Sequence, residues 1–183
     1  VATLAQRWRP GDVILVNAGW AYSAIQTYWP SLDSEISPSS SPPPIAENAR
    51  LLDVSIDDSS AFPQSGQAPL LVRTGSVDAV ENLGWGNPNS DFFAISSQNT
   101  EVGLTNLATC YDRIWHYRIY DTVSDPAMVI RAWLDKNGSR ADQQWISGRD
   151  LAQLQLYDLS RGAAPKEGVC NPSYAEWVPI EFG

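Results

Sequence analysis

The chain has 183 residues, of which 43% are hydrophobic and 18% are charged, so its composition is that of a folded globular domain and not of a disordered segment. The net charge of −9, with Lys136 and Lys166 as the only lysines, argues against nucleic acid as a partner, because phosphate contacts need clustered Lys and Arg. The sequence has no run of about 18 or more apolar residues, so it contains no segment that predicts a transmembrane helix.

The start of the chain predicts one strand between two helices. Val1 to Trp8 has the pattern of a helix end, and Val13 to Asn17 is a short apolar run typical of a buried parallel strand. Gly19 then leads into a predicted helix from Trp20 to Tyr28, which Pro30 ends.

A Ser/Pro-rich stretch at residues 31–48 interrupts this pattern. It could be a domain linker, but the segments on both sides belong to one alternating α/β pattern, which favours a surface loop inserted into a single domain. Strands are predicted at Leu51–Ile56 and Leu70–Thr74. An ordered irregular loop from Gly75 to Ser97 and a helix from Asn99 to Tyr111 follow.

The next segment predicts a strand, a short turn and a capped helix. The strand, 113–120, is rich in β-branched and aromatic residues, and the helix covers 126–137 with apolar residues at helical spacing. Asp125 is expected to accept hydrogen bonds from the free amides of the helix start, and Pro126 to occupy its first turn. Gly138 predicts a left-handed stop. A strand that feeds a helix in this way is half of a βαβ unit.

Residues Gln153 to Asp158 alternate between Leu and polar residues and predict an edge strand, and residues 160–183 predict an irregular C-terminal arm. Together the elements predict an α/β fold: a three-layer sandwich with a mainly parallel, Rossmann-like sheet and long irregular loops. We expect one domain over 1–183. The missing initial Met and the apolar residues at the C-terminal end indicate a domain excised from a longer protein.

No catalytic or metal-binding constellation is recognisable in the sequence. His116 lies in the middle of a predicted strand and no GxSxG motif is present, so a structural or surface histidine is the favoured interpretation. The segment NAGWAYS after the first strand matches neither phosphate-binding glycine motif, and no cluster of His, Cys and carboxylates has ligand spacing. We therefore expect no catalytic residues, no metal and no cofactor.

Polar and aromatic residues follow several of the predicted strands. In open α/β sheets ligands bind outside the carboxyl ends of the strands, and polar groups beside aromatic rings suit a sugar or a polar lipid headgroup. Asp125 has a structural role as a cap, whereas Asp121 is freer. Ordinary loop-end polarity is the alternative. The candidate ligand-binding residues are Asn17, Trp20, Thr74, Tyr120 and Asp121.

The two cysteines, Cys110 and Cys170, lack CxxC spacing, which argues against redox catalysis and zinc. They are either two buried free thiols or a disulfide that ties the C-terminal tail to the helix ending near Cys110. A disulfide is favoured if the domain is extracytoplasmic.

The order of three segments resembles the soluble C-terminal region of bacterial multi-spanning membrane glycosyltransferases, similar to protein mannosyltransferases and aminoarabinose transferases that use polyprenyl-phosphate sugars. The segments are RPGDVILVNAGWAYSAIQTYW, YDRIWHYRIYDTVSDPAMVIRAWLDKNG and LQLYDL. The resemblance implies a domain on the extracytoplasmic face of the membrane, after the last transmembrane helix. The family's catalytic carboxylates lie in loops of the membrane portion, and no position of this chain matches them.

By this resemblance the chain is a non-catalytic domain that helps to bind the lipid-linked sugar or the acceptor. Its partners would be the transmembrane portion of its own parent chain and a polyprenyl-phosphate sugar or glycan. The Ser/Pro insertion and the long C-terminal arm depart from the compact family pattern. A stand-alone cell-surface binding module of unknown ligand is the alternative. A hydrolase that uses Asp121 is disfavoured because no base or nucleophile accompanies it in the sequence.

Overall fold

The computed structural model describes residues 1–17, 21–29, 50–53, 69–79, 93–146 and 152–159. In chain order the helices and strands are α1 (Ala2–Arg7), β1 (Asp12–Val16), α2 (Tyr22–Tyr28), β2 (Arg50–Asp53), β3 (Leu70–Arg73), β4 (Ser76–Val77), β5 (Ala94–Ile95), α3 (Ser97–Cys110), β6 (Arg113–Ile119), α4 (Asp121–Ser124), α5 (Val129–Asn137), β7 (Ser139–Ile146) and β8 (Ala152–Asp158).

Among the described residues the central sheet has six strands, in the order β2-β3-β1-β6-β8-β7. The first four of these are parallel to one another, whereas β8 runs antiparallel to both β6 and β7. The strand β7 therefore points in the same direction as β6, and β6, α5 and β7 make a βαβ unit with β8 inserted between its strands. The predicted α/β fold with a mainly parallel sheet is confirmed.

Two hydrophobic cores lie on opposite faces of this sheet. Alternation along β6 shows the division, since Ile114 belongs to one core and Trp115 to the other. The core on the α3/α5 face contains Leu104 of α3 and Leu134 of α5. The core on the α1/α2 face contains Leu4, with Ile25 of α2. Helices thus cover both faces of the sheet, which makes three layers.

The strand β1 lies at the centre of the sheet and is buried on both faces. Its four residues from Val13 to Val16 are all fully buried, because helices cover the sheet on both sides at this point. Asp12, which precedes them, is 2% exposed and accepts a hydrogen bond from the Trp115 indole nitrogen at 2.8 Å. Burial raises the pKa of the Asp12 carboxyl, against the lowering effect of that hydrogen bond.

The helix predicted at 126–137 begins three residues later than predicted, and a separate short helix and a turn precede it. Helix α4 ends at Ser124, and α5 begins only at Val129, after Met128 in the left-handed region with a φ of 56°. Pro126 lies in the turn and not in the first helical position. The predicted cap is confirmed, because the Asp125 carboxylate accepts hydrogen bonds from the amides of Val129 and Ile130 at 2.8 and 3.0 Å.

Gly138 ends α5, but not in the left-handed conformation that the sequence predicts. Its φ is −138° and its ψ 175°, so the backbone is extended and continues into β7. A Cβ atom at this position would lie 2.5 Å from Leu159 Cδ2 and 3.0 Å from the Asp158 carbonyl oxygen. The close approach of Asp158 and Leu159, and not a turn, therefore favours glycine at this position.

The prediction of an edge strand at Gln153–Asp158 is wrong, since β8 lies between β6 and β7. Its polar residues suggested an exposed face, but Gln155 is 1% exposed and donates to Gln143 Oε1 at 3.2 Å. The true edge is β7, whose sequence SRADQQWI carries polar residues on both faces and gave no alternating signal.

The segment predicted as an irregular loop, Gly75–Ser97, contains two short strands. These are β4 and β5, which pair in parallel as a second small sheet. Helix α3 begins at Ser97, where the Ser96 hydroxyl accepts a hydrogen bond from the Asn99 amide at 3.1 Å. The predicted insertion at 31–48 and the predicted arm at 160–183 lie outside the described residues.

Candidate functional site

Three of the candidate residues follow directly on the strands β1, β3 and β6, at the carboxyl edge of the parallel sheet. They are Asn17, Thr74 and Tyr120. After β1 the chain enters α2 on one face of the sheet, whereas after β3 and β6 it returns through α3 and α5 on the other face. The carboxyl end of β1 is therefore a topological switch point, where open α/β sheets form their ligand crevices.

Asn17 joins β1 to the segment that follows β6. Its side chain is 1% exposed, and its Nδ2 donates to the Asp121 carboxylate and to Ser124 Oγ, the latter at 3.3 Å. Its Oδ1 accepts a hydrogen bond from the Ile119 amide at 2.9 Å. All of these groups are buried or half-buried, so they fix the position of Asp121 firmly.

Asp121 has a second partner that the sequence analysis did not identify. Its other carboxylate oxygen pairs with the Arg118 guanidinium, whose side chain is 8% exposed against 20% for Asp121. Arg118 Nη1 also donates to Gln153 Oε1 at 2.5 Å. The row Asn17–Asp121–Arg118–Gln153 therefore runs across β1, β6 and β8, and the charge of Asp121 is matched by an arginine.

Thr74 lies at the same edge but is fully buried. Its hydroxyl donates to the Asn17 carbonyl oxygen at 3.2 Å, and its amide donates to the Val16 carbonyl oxygen at 2.9 Å. These hydrogen bonds connect the end of β3 to the end of β1 and help to hold the backbone of Asn17 in place. Thr74 offers little surface to a ligand. The other candidate, Trp20, lies outside the described residues.

Tyr120 has an unusual backbone at the point where β6 turns into α4. Its φ of 55° lies in the left-handed region, which is uncommon for a residue with a bulky side chain. Its carbonyl oxygen accepts hydrogen bonds from the Val123 and Ser124 amides and from Ser124 Oγ. Tyr120 is 40% exposed, so its aromatic ring is accessible to solvent at the edge that carries Asp121.

Asp125 and His116 are both buried in structural positions. Burial raises the pKa of the Asp125 carboxyl, even though its two oxygens accept hydrogen bonds from α5. His116 is 1% exposed, and within the described part of the chain neither ring nitrogen has a hydrogen-bond partner. Burial, followed by the charges of Arg118 and Arg131, holds its pKa well below the usual value. The imidazole is therefore neutral.

The structure holds Cys110, at the end of α3, as a disulfide-bonded residue. Its expected partner, Cys170, lies outside the described residues, so the pairing stays a prediction. Over the same described ranges, no group of three or more His, Cys, Asp or Glu side chains is placed to hold a metal ion. No helix there is long and apolar enough to cross a membrane.

Sequence reasoning found Asn17 and Asp121 but missed Arg118, Ser124 and Gln153. One signal for Arg118 was available, since an arginine within a strand of mostly apolar and aromatic residues is rarely buried without a charged partner. Asp121, three positions on, is that partner. No such signal exists for Gln153, because only the insertion of β8 beside β6 brings it close.

Among the described residues, the groups at this edge are hydrogen-bond acceptors and donors, and none of them is a nucleophile paired with a base. A carboxylate held by an amide and a guanidinium is a fixed acceptor for hydroxyl or amine groups, and the exposed Tyr120 ring at the same edge offers an apolar face. Ser124 has its hydroxyl committed to the Tyr120 carbonyl oxygen at 3.1 Å, so it is not paired with a base. No family model matches this sequence, and neither a curated protein nor a solved structure matches it.

Proposed function

We propose that this chain is a non-catalytic, extracytoplasmic domain of a bacterial membrane glycosyltransferase-like protein, and that its carboxyl edge binds the lipid-linked sugar or the acceptor. The observation that carries the binding role is the row Asn17–Asp121–Arg118 at the switch point of the sheet. The identity of the parent protein rests on the resemblance of the three sequence segments described above.

The chemistry of the edge supports a polyhydroxylated ligand. The Asp121 carboxylate is held by two donors, so it does not have to be ordered when a ligand arrives. Sugar hydroxyls can donate to a carboxylate and accept from a guanidinium, while the C–H face of a pyranose packs on an aromatic ring such as that of Tyr120. This combination of groups is expected at a sugar site.

A binding role is favoured over a catalytic one by the state of the reactive side chains. Within the described ranges His116 is buried and neutral, and Ser124 is bonded to a backbone carbonyl. A nucleophile and a general base would have to lie within hydrogen-bond reach of each other. The disulfide-bonded state of Cys110 supports the extracytoplasmic location, because disulfides persist in oxidising compartments.

The binding role can be tested by a titration followed by NMR on the 183-residue chain. The probe is a water-soluble farnesyl-phosphoryl hexose, and separate titrations use the free hexose and farnesyl phosphate. Amide shifts of Asn17, Tyr120 and Asp121 are expected with the sugar-bearing probes. Asp121→Asn should weaken binding by about 10-fold or more, since a hydrogen bond to a charged group contributes roughly 1.5–3 kcal/mol.

The matched control is Glu101→Gln, which removes the same charge from an exposed position of α3. Tyr120→Asn is a second test, because asparagine tolerates the left-handed backbone while it removes the ring. Equal binding by the wild type and both edge variants, or equal loss in Glu101→Gln, would contradict the binding role.

The sequence of the full-length gene distinguishes the transferase from the alternative, a stand-alone cell-surface module. About ten apolar spans before Val1 would support the transferase, whereas the absence of such spans would support the module.

A further inference from the structure

We propose that the carboxyl edge of the sheet also carries a membrane-docking surface, which seats the domain on a zwitterionic lipid–water interface. The surface, here called the apolar rim, consists of five exposed side chains: Tyr120, Val123, Met128, Trp145 and Ile146. This inference goes beyond the proposed sugar role, because it requires only that the rim enters an interface, whether or not the polar row binds a ligand.

Register places the two halves of the apolar rim at the same edge. Ile146 at the end of β7 pairs with Ala152 of β8, and Ala152 pairs with Ile119, the last residue of β6. The end of β7 is therefore level with the end of β6, after which the connection 120–128 begins. Trp145 and Ile146 are neighbours on β7 and point to opposite faces of the sheet, so they share its edge and not one face. That connection contributes the other half of the rim.

The exposure of these side chains is high for large apolar groups. Trp145 is 60% exposed, Val123 55%, Met128 45% and Tyr120 40%. Seven large hydrophobic side chains are exposed in the described part of the chain, and five of them belong to the rim. Exposed apolar groups that collect at one edge mark an interaction surface, whereas scattered ones need no explanation.

The charges beside the apolar rim favour a neutral interface as its occupant. Arg118 pairs with Asp121, and the Asp125 carboxylate is 4% exposed with both oxygens on amides of α5. The exposed carboxylate of Asp78, which follows the strand β4 that contacts α4, adds a negative charge on this side, and the whole chain has a net charge of −9. An anionic surface would repel the chain at long range, so docking has to rely on apolar area.

The residue types fit the same occupant. Trp and Tyr are enriched at membrane–water interfaces because one part of each ring system is apolar and the other can form hydrogen bonds. Trp145 pairs in register with Gln153, which accepts from Arg118, so the exposed indole adjoins the polar row. An apolar rim beside a polar row is the arrangement of a protein surface that enters the headgroup region.

The test is flotation of the 183-residue chain with phosphatidylcholine vesicles and with vesicles that contain phosphatidylglycerol, each at low and high salt. We expect binding to phosphatidylcholine that high salt does not weaken. Trp145→Ser and Val123→Ser should each lower the partition coefficient, Trp145→Ser by about 10-fold for the loss of most of a large apolar side chain. Tyr28→Ser is the matched control, since Tyr28 is 71% exposed on α2 and lies outside the rim.

Several results would overturn the proposal. These are the absence of wild-type flotation with phosphatidylcholine, binding only to phosphatidylglycerol with loss at high salt, and an equal effect of Tyr28→Ser. A dimer in analytical ultracentrifugation that Trp145→Ser dissociates, without vesicle binding, would assign the rim to a second copy of the chain. Asp121→Asn separates the two proposals, because it should impair sugar binding and leave flotation with phosphatidylcholine unchanged at high salt, where the charge of Arg118 is screened.

Discussion

Replacement of His116 by leucine should stabilise the domain and remove part of its sensitivity to acid. The imidazole is 1% exposed, and among the described residues neither of its nitrogens has a partner. A buried polar group without a hydrogen bond costs roughly 1–3 kcal/mol, and an apolar replacement of similar size does not incur that cost. We therefore expect His116→Leu to raise the free energy of unfolding by about 1–3 kcal/mol at neutral pH.

The pH dependence gives a second and sharper measure. Burial and the nearby Arg118 and Arg131 hold the pKa of His116 well below 6.5 in the folded state, so only the unfolded state takes up the proton as the pH falls below that value. The free energy of unfolding is therefore unaffected by His116 protonation above about pH 6.5, and it decreases as the pH falls below that value. The loss should grow by up to about 1.4 kcal/mol per pH unit as the pH falls below that value, until the folded state also takes up the proton.

Urea denaturation at pH 7.5, 6.5, 5.5 and 4.5, followed by circular dichroism, measures both effects. Because His116 is the only histidine in the sequence, the difference between the wild type and His116→Leu isolates its proton. The buried carboxyls of Asp12 and Asp125 have raised pKa values, so their effect on stability has the opposite sign and is common to both proteins. Tyr157→Phe, which changes another buried polar side chain, should keep the wild-type slope. A difference between wild type and His116→Leu that does not vary with pH would refute the reasoning, as would a large loss of stability at every pH.

Three further changes test the packing around α5. Asp125→Ala removes the acceptor of two helix amides and should lower the free energy of unfolding by about 1–2 kcal/mol in urea; an unchanged midpoint would mean that water caps the helix equally well. Gly138→Ala places a Cβ atom 2.5 Å from Leu159 Cδ2 and should lower the thermal midpoint, at a cost of about 1–3 kcal/mol; an unaltered midpoint would show that Leu159 moves aside freely. Tyr157 donates to Asp135 at 2.9 Å, and burial first, then this hydrogen bond, raises the pKa of its phenol to about 12. In an ultraviolet titration Tyr157→Phe should remove the last phenol to ionise, and loss of an earlier one would contradict the assignment.

The parallel half of the fold was predictable because its signals are local. The apolar run of β1 and the polar turns around it identify a buried strand without any knowledge of its neighbours. The same holds for β6 and for the cap of α5 at Asp125. The antiparallel half was not predictable in this way. The strand β7 is polar on both faces, and the buried Gln155 of β8 has the residue type of an exposed position.

The position of the candidate site was also predictable from local sequence signals, but the roles of its residues were not. Residues that directly follow parallel strands must lie at one edge of the sheet, so Asn17, Thr74 and Asp121 could be grouped from the sequence alone. Their roles could not be, since a side chain's partners depend on pairing across strands. Thr74 is bonded to the backbone of β1, and Asp121 has Arg118 as an ion-pair partner.

The connection from Tyr120 to Met128 has a consequence for how a ligand would reach the site. It carries Asp121, which belongs to the polar row, and its large exposed hydrophobic side chains belong to the apolar rim. If both proposals hold, a lipid-linked sugar does not need to leave the bilayer to be bound, because its tail stays in the interface on which the rim rests. The sugar alone would then bind more weakly than the intact lipid, since it must be captured from solution. We therefore expect the farnesyl-phosphoryl hexose to bind vesicle-docked chain more tightly than chain in solution, and Trp145→Ser to abolish that difference while leaving binding in solution unchanged.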